Sequence, residues 1–269
     1  MMKFSSLLTS PRARNGRRRI VVDTSDIVIY AVGDVHGCLD ELLELEAMIV
    51  ADSAGLAADK LIVMLGDYVD RGPSSAQVLD HLMASPPDSF GRICLTGNHE
   101  IAMLDYLEER IGRGEWLRMG ASPTLTSYGL DYERLKAIYA TDSDIDGMIR
   151  ATIPSSHRNF LRSLPVMVTG GHFVFVHAGI RPERSLDRQT DLDLVTIRSS
   201  FFDQAHLLSN YVVHGHTPVD SAAREGKRIN IDTGAYFSGR LSALRIWKGR
   251  GRFLMTGGEP AQIESTGSR

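Results

Sequence analysis

Five apolar runs in this chain stop abruptly on a glycine or on a side chain able to bind a cation, and that recurrence limits the fold more than any other feature. Ile27–Val32 gives way to Gly33-Asp34, Leu61–Leu65 to Gly66-Asp67, and Ile93–Leu95 to Thr96-Gly97-Asn98. Phe173–Val176 ends at His177, and Tyr211–Val213 at His214-Gly215-His216. Short, β-branched runs bounded by glycine read as buried strands. Between them Leu39, Leu42, Leu43, Ala47 and Val50 recur at helical spacing, as do Val78, Leu79, Leu82 and Met83, and then Ile101, Leu104 and Leu107. Alternating strands and helices predict an α/β architecture with parallel strand pairs at its centre. Ligands of such sheets bind beyond the carboxyl ends of the strands. All five polar clusters sit at those ends, so they are read as one site.

The rest of the chain is less regular. Residues 112–160 read as a mostly helical, loop-rich insertion, with Ser155 capping a short helix that carries Phe160, Leu161 and Leu164 and stops at Pro165. Ile229–Ile231, Leu241–Ile246 and Arg252–Met255 are predicted as antiparallel strands. With 269 residues and 43% hydrophobic content, residues 26–256 form one domain, followed by a flexible tail over 257–269. Residues 1–25 are expected to be a disordered basic leader.

Charge and cysteine usage exclude several function classes. The chain carries a net charge of −3, yet Lys3, Arg12, Arg14, Arg17, Arg18 and Arg19 put six positive charges in the first 19 residues. The body is therefore acidic, which argues against nucleic acid as a partner and suits carboxylates that hold cations. The Arg cluster reads as a solvated tail, with a polyanion-binding arm as the alternative. Two cysteines, Cys38 and Cys94, make no disulfide framework, so cytoplasmic location is expected. Phe4–Leu8 is too short for a signal-peptide core, and no apolar run approaches a membrane span.

The five clusters have a shared chemistry. Asp34 and His36 place a carboxylate and an imidazole two residues apart, and Asp67 adds a carboxylate whose two oxygens can bridge two ions. Asn98 contributes an amide oxygen, and His177 and His216 contribute imidazoles. Such mixed donors suit Mn, Fe or Zn, and there is no Cys-x-x-Cys for a closed zinc site. Two bridged divalent ions would polarise a phosphate and activate a water for in-line attack.

These residues also resemble a known family. Gly33-Asp34-Val35-His36-Gly37, Gly66-Asp67-Tyr68-Val69-Asp70-Arg71-Gly72 and Gly97-Asn98-His99-Glu100 are similar to the signature blocks of the PPP-type phosphoprotein phosphatases, a branch of the calcineurin-like metallophosphoesterases. His177-Ala178-Gly179 and Gly215-His216-Thr217 resemble that family's later histidine motifs, and the likeness spans residues 26–247. It implies a calcineurin-like fold, a central β-sandwich of mixed sheets flanked by helices. It implies a first metal on Asp34 and His36, Asp67 bridging, and a second metal completed by Asn98, His177 and His216, with manganese the favoured ion. Pro218 stands where the wider superfamily often has a further histidine ligand. His99 would be the general acid, oriented by Asp70, and Arg71 would clamp phosphate together with Asn98 and a second arginine. Arg198 resembles that second arginine although Thr196 replaces the usual tryptophan beside it; Arg181 is the alternative.

Other features take quieter readings. His214 is expected to be structural or to support the site from behind, and His81, His157, His172 and His206 to lie on the surface or satisfied in the core. Cys38 and Cys94 read as packed small hydrophobes. Trp116–Gly129 resembles a segment of bacterial relatives, where Tyr128 could shape a cleft or simply pack; Asp232 and Thr233 could support the site. The resemblance implies hydrolysis of phosphomonoesters by a metal-bridging hydroxide, with phosphoserine or phosphothreonine in a protein as substrate. The alternative is a symmetrical bis(5'-nucleosyl)-tetraphosphatase, with a dinucleoside polyphosphate as substrate. A catalytically dead scaffold would have lost one of the site residues, and none is lost.

Overall fold

The computed structural model describes residues 8–9 and 16–257. In chain order the strands are β1 (Leu8–Thr9), β2 (Arg19–Val22), β3 (Ile27–Val32), β4 (Asp59–Met64), β5 (Phe90–Cys94), β6 (Met167–Gly170), β7 (Phe173–Val176), β8 (Tyr211–His214), β9 (Ala223–Glu225), β10 (Arg228–Asn230), β11 (Ser242–Trp247) and β12 (Arg250–Met255). Helices α1 (Leu39–Ser53), α2 (Ser75–Met83) and α3 (Asn98–Leu107) connect or follow the first parallel strands. Five more helices fill the predicted insertion: α4 (Arg113–Arg118), α5 (Ser122–Ser127), α6 (Tyr132–Ile138), α7 (Asp142–Thr152) and α8 (Ser155–Ser163). Later come α9 (Asp191–Thr196), α10 (Ser199–Asp203) and the four-residue α11 (Ala235–Ser238).

The strands form two mixed sheets, one ordered β12-β11-β3-β4-β5 and the other β1-β2-β6-β7-β8-β10-β9. Strand alternation shows why they stack. In β3, Ile27, Ile29 and Ala31 join an apolar cluster shared with Val168, Phe175, Val213 and Ile229 of the other sheet. Val28, Tyr30 and Val32, on the opposite face, join the cluster under α1, α2 and the helical insertion. All six residues of β3 are buried, and each such aliphatic side chain contributes roughly 1.5–3 kcal/mol. The second sheet repeats the pattern: Phe175 faces the sandwich, while Val174 and Val176 pack under α9 and α10. Helices thus cover both outer faces. Among the described residues no helix is long and apolar enough to cross a membrane.

Parallel pairing of β3 with β4 and of β4 with β5 fits the sequence expectation, as do the antiparallel β11 and β12. Strand β10 differs: it runs parallel to β8 and antiparallel only to β9. Strand β9 carries the chain back along the sheet before β10 sets out beside β8, which a hairpin-like reading of the sequence does not anticipate. The expected leader is corrected too. Residues 16–25 are built into the protein, with β2 paired parallel to β6; the readings for 1–7, 10–15 and 258–269 lie outside the described residues. Arg17 donates to the carbonyls of Leu161 (2.9 Å) and Leu164 (3.1 Å), and Arg18 to that of Ser163 (3.0 Å). These are orphan carbonyls at the end of α8, where cations are favoured. Helix α8 begins after Pro154, so Ser155 is its first residue and not its cap.

The buried face of α1 is also not the one expected. Leu42, Leu45, Glu46 and Ile49 are inside, while Leu43 and Val50 are exposed. Glu46 explains the rotation. Its carboxylate pairs with buried Arg92 of β5 (2.7 Å) and with His81 of α2 (2.7 Å), so a charged residue occupies the inner face. Burial opposes its ionisation, but His81 and Arg92 hold the carboxyl below its ordinary 4.5. Stability from this group is therefore present above 4.5 and lost as pH falls through the lowered folded value. Glu46→Ala leaves Arg92 buried without its partner and is expected to destabilise the protein by about 3–5 kcal/mol in urea unfolding at pH 7. The gap between variant and wild type should narrow in acid; a constant gap would show that the ion pair is not the cause.

Candidate metal centre

Three of the strand ends need a glycine to deliver their side chains. A Cβ on Gly33 would lie 2.3 Å from the Ile231 carbonyl, so only glycine lets β3 end against the segment after β10. A Cβ on Gly97 would lie 2.1 Å from Asp67 Oδ1, and one on Gly215 would lie 2.0 Å from Asp34 Oδ1. The two carboxylates thus occupy space that side chains would otherwise take. The backbone then turns sharply at the functional residues themselves. His36, Asp67, Asp70, Arg71 and His216 all have positive φ, between 45° and 71°, and they are five of the eight described non-glycine residues that do. Such backbone is disfavoured for these residues and clusters at functional sites.

Glu100, quoted in the sequence blocks but given no role there, holds the turns in place. Its carboxylate accepts from the backbone N–H groups of Asp67 (2.7 Å), Tyr68 (2.6 Å) and Gly97 (2.8 Å), and more distantly from Val69 (3.3 Å). Burial and the neighbouring Asp67 push it up to about 7, while the N–H donors oppose that rise.

Asp67 is the centre of the site. Its Oδ2 lies 3.5 Å from His36 Nε2, 3.9 Å from His99 Nε2 and 3.3 Å from His177 Nε2. Ligand atoms of His36, Asp67 and His99 come within 4.8 Å of one another, and so do those of Asp67, His177 and His216. His177 Nε2 is also 2.9 Å from Asn98 Oδ1 and 3.1 Å from His216 Nδ1. Asp34 enters through Oδ2, which accepts from the His216 backbone N–H (2.9 Å), while its buried Oδ1 has no hydrogen-bond partner. The structure therefore brings the side chains of His36, Asp67, Asn98, His177 and His216 together, with Asp34 beside them on the His216 backbone.

The electrostatics fit a pair of cations. Asp34 is raised well above the carboxylate range by burial, Asp232 and Asp67. His36 and His216 are pushed down to about 3, chiefly by burial, which leaves neutral imidazoles free to ligate. Asp67 is buried as well, yet His177, His99 and His36 hold it well below its ordinary value. An orphaned carboxylate oxygen, crowded acids and neutral imidazoles together form a donor set for divalent ions.

The remaining expected residues separate clearly. His99 Nδ1 bonds Asp70 Oδ2 at 2.8 Å, leaving Nε2 toward Asp67. Burial disfavours its charge, but Asp67 and Asp70 raise its pKa overall. Asp70 is fixed in turn by Trp116 Nε1–H (3.2 Å) and the Thr124 hydroxyl (2.8 Å), two partners that the sequence does not reveal as such. Arg71 is half-buried with its guanidinium 4.9 Å over the ring of Tyr236. Arg198 reaches the rim, with Nη2 3.4 Å from the His216 carbonyl. Arg181 is occupied elsewhere by Asp193 at 2.9 Å. His214 turns away and packs on Phe201 and Phe202, because the left-handed turn at His216 breaks the strand alternation between them. Tyr128 is a core residue bonded to His157 (2.6 Å) rather than a cleft wall. Asp232 accepts from Gly234 N–H (2.9 Å) and is raised to about 6, mainly by burial. Cys38 and Cys94 are both buried.

Comparison with known proteins supports the same conclusion. Residues 27–246 match the family model described as calcineurin-like phosphoesterase. The chain belongs to that family. It is a metal-dependent phosphatase. Similar curated proteins carry the name bis(5'-nucleosyl)-tetraphosphatase PrpE [asymmetrical]. One from Geobacillus thermodenitrificans is 26% identical over 246 residues, covering 81% of this chain and 89% of the relative. Another from Halalkalibacterium halodurans is 27% identical over 236 residues, covering 80% and 88%. Among solved structures, the fold is similar to the cold-active protein-tyrosine phosphatase of a psychrophilic Shewanella (TM-score 0.58, 20% identity, covering 96% of this chain and 90% of that one).

Gly215→Ala tests how the glycines serve the site. The added methyl would displace Asp34, so metal affinity should fall about 10- to 100-fold, the usual effect of disturbing a ligand's support, with the far-UV circular dichroism unchanged. Retention of two ions per chain by elemental analysis after dialysis would contradict this.

Proposed function

We propose that the chain is a two-metal hydrolase of dinucleoside polyphosphates. The observation that carries the metal part is Asp67, whose one carboxylate reaches imidazoles from both sheets. Asp34, His36 and Asp67 would hold one ion, and Asp67, Asn98, His177 and His216 the other. Manganese is the ion we propose for this donor set, with iron or zinc as the alternatives. Two such ions supply Lewis acidity toward the phosphoryl oxygens and a water that ionises near neutral pH.

The chain's own residues do the rest. Arg71 binds and orients the phosphate with a planar guanidinium, and Arg198 reaches the same opening from the far side. Asn98 offers its amide to the same anion. His99 keeps a proton on Nε2, because Nδ1 is committed to Asp70 and the neighbouring carboxylates favour the charged ring. As the phosphorus–oxygen bond breaks, that proton passes to the leaving oxygen. Trp116 and Thr124 hold Asp70 still while this happens.

The substrate reading rests on relatives about a quarter identical across four-fifths of the chain and named for dinucleoside tetraphosphates. Motifs shared by the phosphatase family place phosphoserine and phosphothreonine first, but they build the phosphate end of the site and leave the other end open. The relatives' name specifies asymmetrical cleavage, whereas the dinucleotide alternative drawn from the sequence is symmetrical. Nucleotide analysis separates the two, since an asymmetrical cut of diadenosine tetraphosphate yields AMP and ATP and a symmetrical one yields ADP alone.

The test is a panel run with manganese and with chelator: diadenosine tetraphosphate, a phosphoserine peptide and an aryl phosphate. Fast, chelator-sensitive cleavage of the dinucleotide is the expected result. Turnover of the phosphopeptide with the dinucleotide left intact would restore the protein-phosphatase reading. Activity that survives both chelation and Asp67→Asn would remove the metal reading altogether. His99→Asn should lower kcat by about 10²- to 10⁴-fold, the range for a lost general acid, while two ions per chain remain bound. Loss of an ion would make His99 a ligand, a role that its position beside His36 and Asp67 also permits.

A further inference from the structure

The helix α11 presents two adjacent aromatic rings beside the metal cradle, and neither belongs to any sequence block. Tyr236 stands edge-on to His36 with ring centroids 5.4 Å apart, and the Arg71 guanidinium lies over it at 4.9 Å. Phe237 packs edge-on to Tyr236 at 4.9 Å, one ring farther out, and is 63% exposed. A single exposed apolar side chain needs no explanation. This one differs because its backbone is fixed. Gly234 and Gly239 bound α11 in left-handed conformations. Gly234 N–H donates to Asp232, Ser238 Oγ to the Thr233 carbonyl (2.7 Å), and Thr233 Oγ1 to the Arg240 carbonyl (2.7 Å). The Phe237 ring also lies against Gly234, where a Cβ would come within 2.2 Å of it. One edge of the ring is thereby set against the Gly234 backbone, and the rest of this exposed ring is open to a ligand at little entropic cost.

We propose that Phe237, backed by Tyr236, is the stacking platform for a nucleobase of the substrate. The inference rests on the dinucleotide reading and adds a specificity-determining residue to it. The order of groups outward from the metal cradle is His36, Tyr236, Phe237, with Arg71 over the middle ring. A phosphate held at Arg71 therefore has one aromatic ring beside it and a second ring beyond. An aryl phosphate or phosphotyrosine carries its ring directly on the phosphate oxygen and would meet Tyr236. A nucleotide carries its base beyond a ribose and would meet Phe237. A phosphoserine peptide has no planar group for either ring. Base–aromatic stacking tolerates any base, so the platform selects nucleotides without selecting among them.

The test separates this inference from the functional reading by measuring binding as well as turnover. Calorimetry on the manganese-loaded protein compares AMP with ribose 5-phosphate, which lacks the base, and with phenyl phosphate. Wild-type protein should bind AMP more tightly than ribose 5-phosphate by roughly 5- to 150-fold, the range of one base–aromatic stack. Phe237→Leu should collapse that ratio, and Phe237→Trp should keep it. An AMP-to-ribose 5-phosphate ratio indifferent to Phe237→Leu would overturn the platform. So would a phenyl phosphate affinity that falls as far as that of AMP, because the ring would then serve a directly attached aryl group. Should the wild type leave diadenosine tetraphosphate intact while the ratio still depends on Phe237, the functional reading falls and the base platform stands. Cleavage of the dinucleotide with no dependence of the ratio on Phe237 removes the platform and leaves the functional reading in place.

Discussion

The Glu100 carboxylate is the interaction on which the rest of the site depends. It collects backbone N–H groups from the turn after β4 and the turn after β5, and it is fully buried while doing so. Several N–H groups converging on one buried carboxyl hold the turn at Asp67 in a backbone conformation that would otherwise relax. Asp67 has φ 52°, and Asp70 and Arg71, three and four residues on, have φ 69° and 71°. Those dihedrals aim Asp67 at the imidazoles, Asp70 at His99 and Arg71 at the opening. One side chain at the start of α3 thus fixes the turn that carries Asp67, while Ser75, Thr124 and the Gly120 carbonyl hold the backbone N–H groups of Asp70 and Arg71.

The support extends outward in layers with different physical bases. Around Asp70 it is polar, with Trp116, Thr124 and Ser75 each donating or accepting a hydrogen bond. Around the carboxylates it is steric, since Gly97 and Gly215 leave the volume that Asp67 and Asp34 occupy. At the mouth it is aromatic, with α11 held between two left-handed glycines. Polar support fixes orientation, missing side chains allow approach, and rigid rings offer surface. Each does something that the others could not.

Much of this is readable in the sequence because it is local. A strand that stops on Gly-Asp, or a pair of histidines after β-branched runs, advertises both its element and its end, and five of the six expected side chains do meet, with Asp34 against the His216 backbone beside them. Long-range pairing is what the sequence hides. Helical spacing alone points to the wrong buried face of α1, because Glu46 is brought inside by Arg92 and His81, residues from a different strand and helix. Composition alone makes Arg17 and Arg18 part of a solvated leader, because their carbonyl partners on α8 lie about 145 positions away. For His214 and Tyr128, alternation and motif likeness do not say where a left-handed turn or a core partner will direct the side chain. Tyr236 and Phe237 do leave a trace, two adjacent aromatics between Gly234 and Gly239, but nothing local says that they face the metal cradle.

The two donor groups come from different leaves of the sandwich. Asp34, His36, Asp67 and Asn98 follow strands of the five-stranded sheet, whereas His177 and His216 follow strands of the seven-stranded one. What keeps Asp67 and His177 at 3.3 Å is therefore no covalent connection between neighbours. It is the interleaf layer of Ile29, Leu61, Val63, Phe175, Val213 and Ile231, hydrocarbon packed between the sheets like a shim. Packed interiors resist compression and transmit strain, so any sliding of one leaf past the other would open or close the gap between the donor groups. The tolerance of the reaction centre is thus machined in aliphatic side chains that have no chemistry of their own.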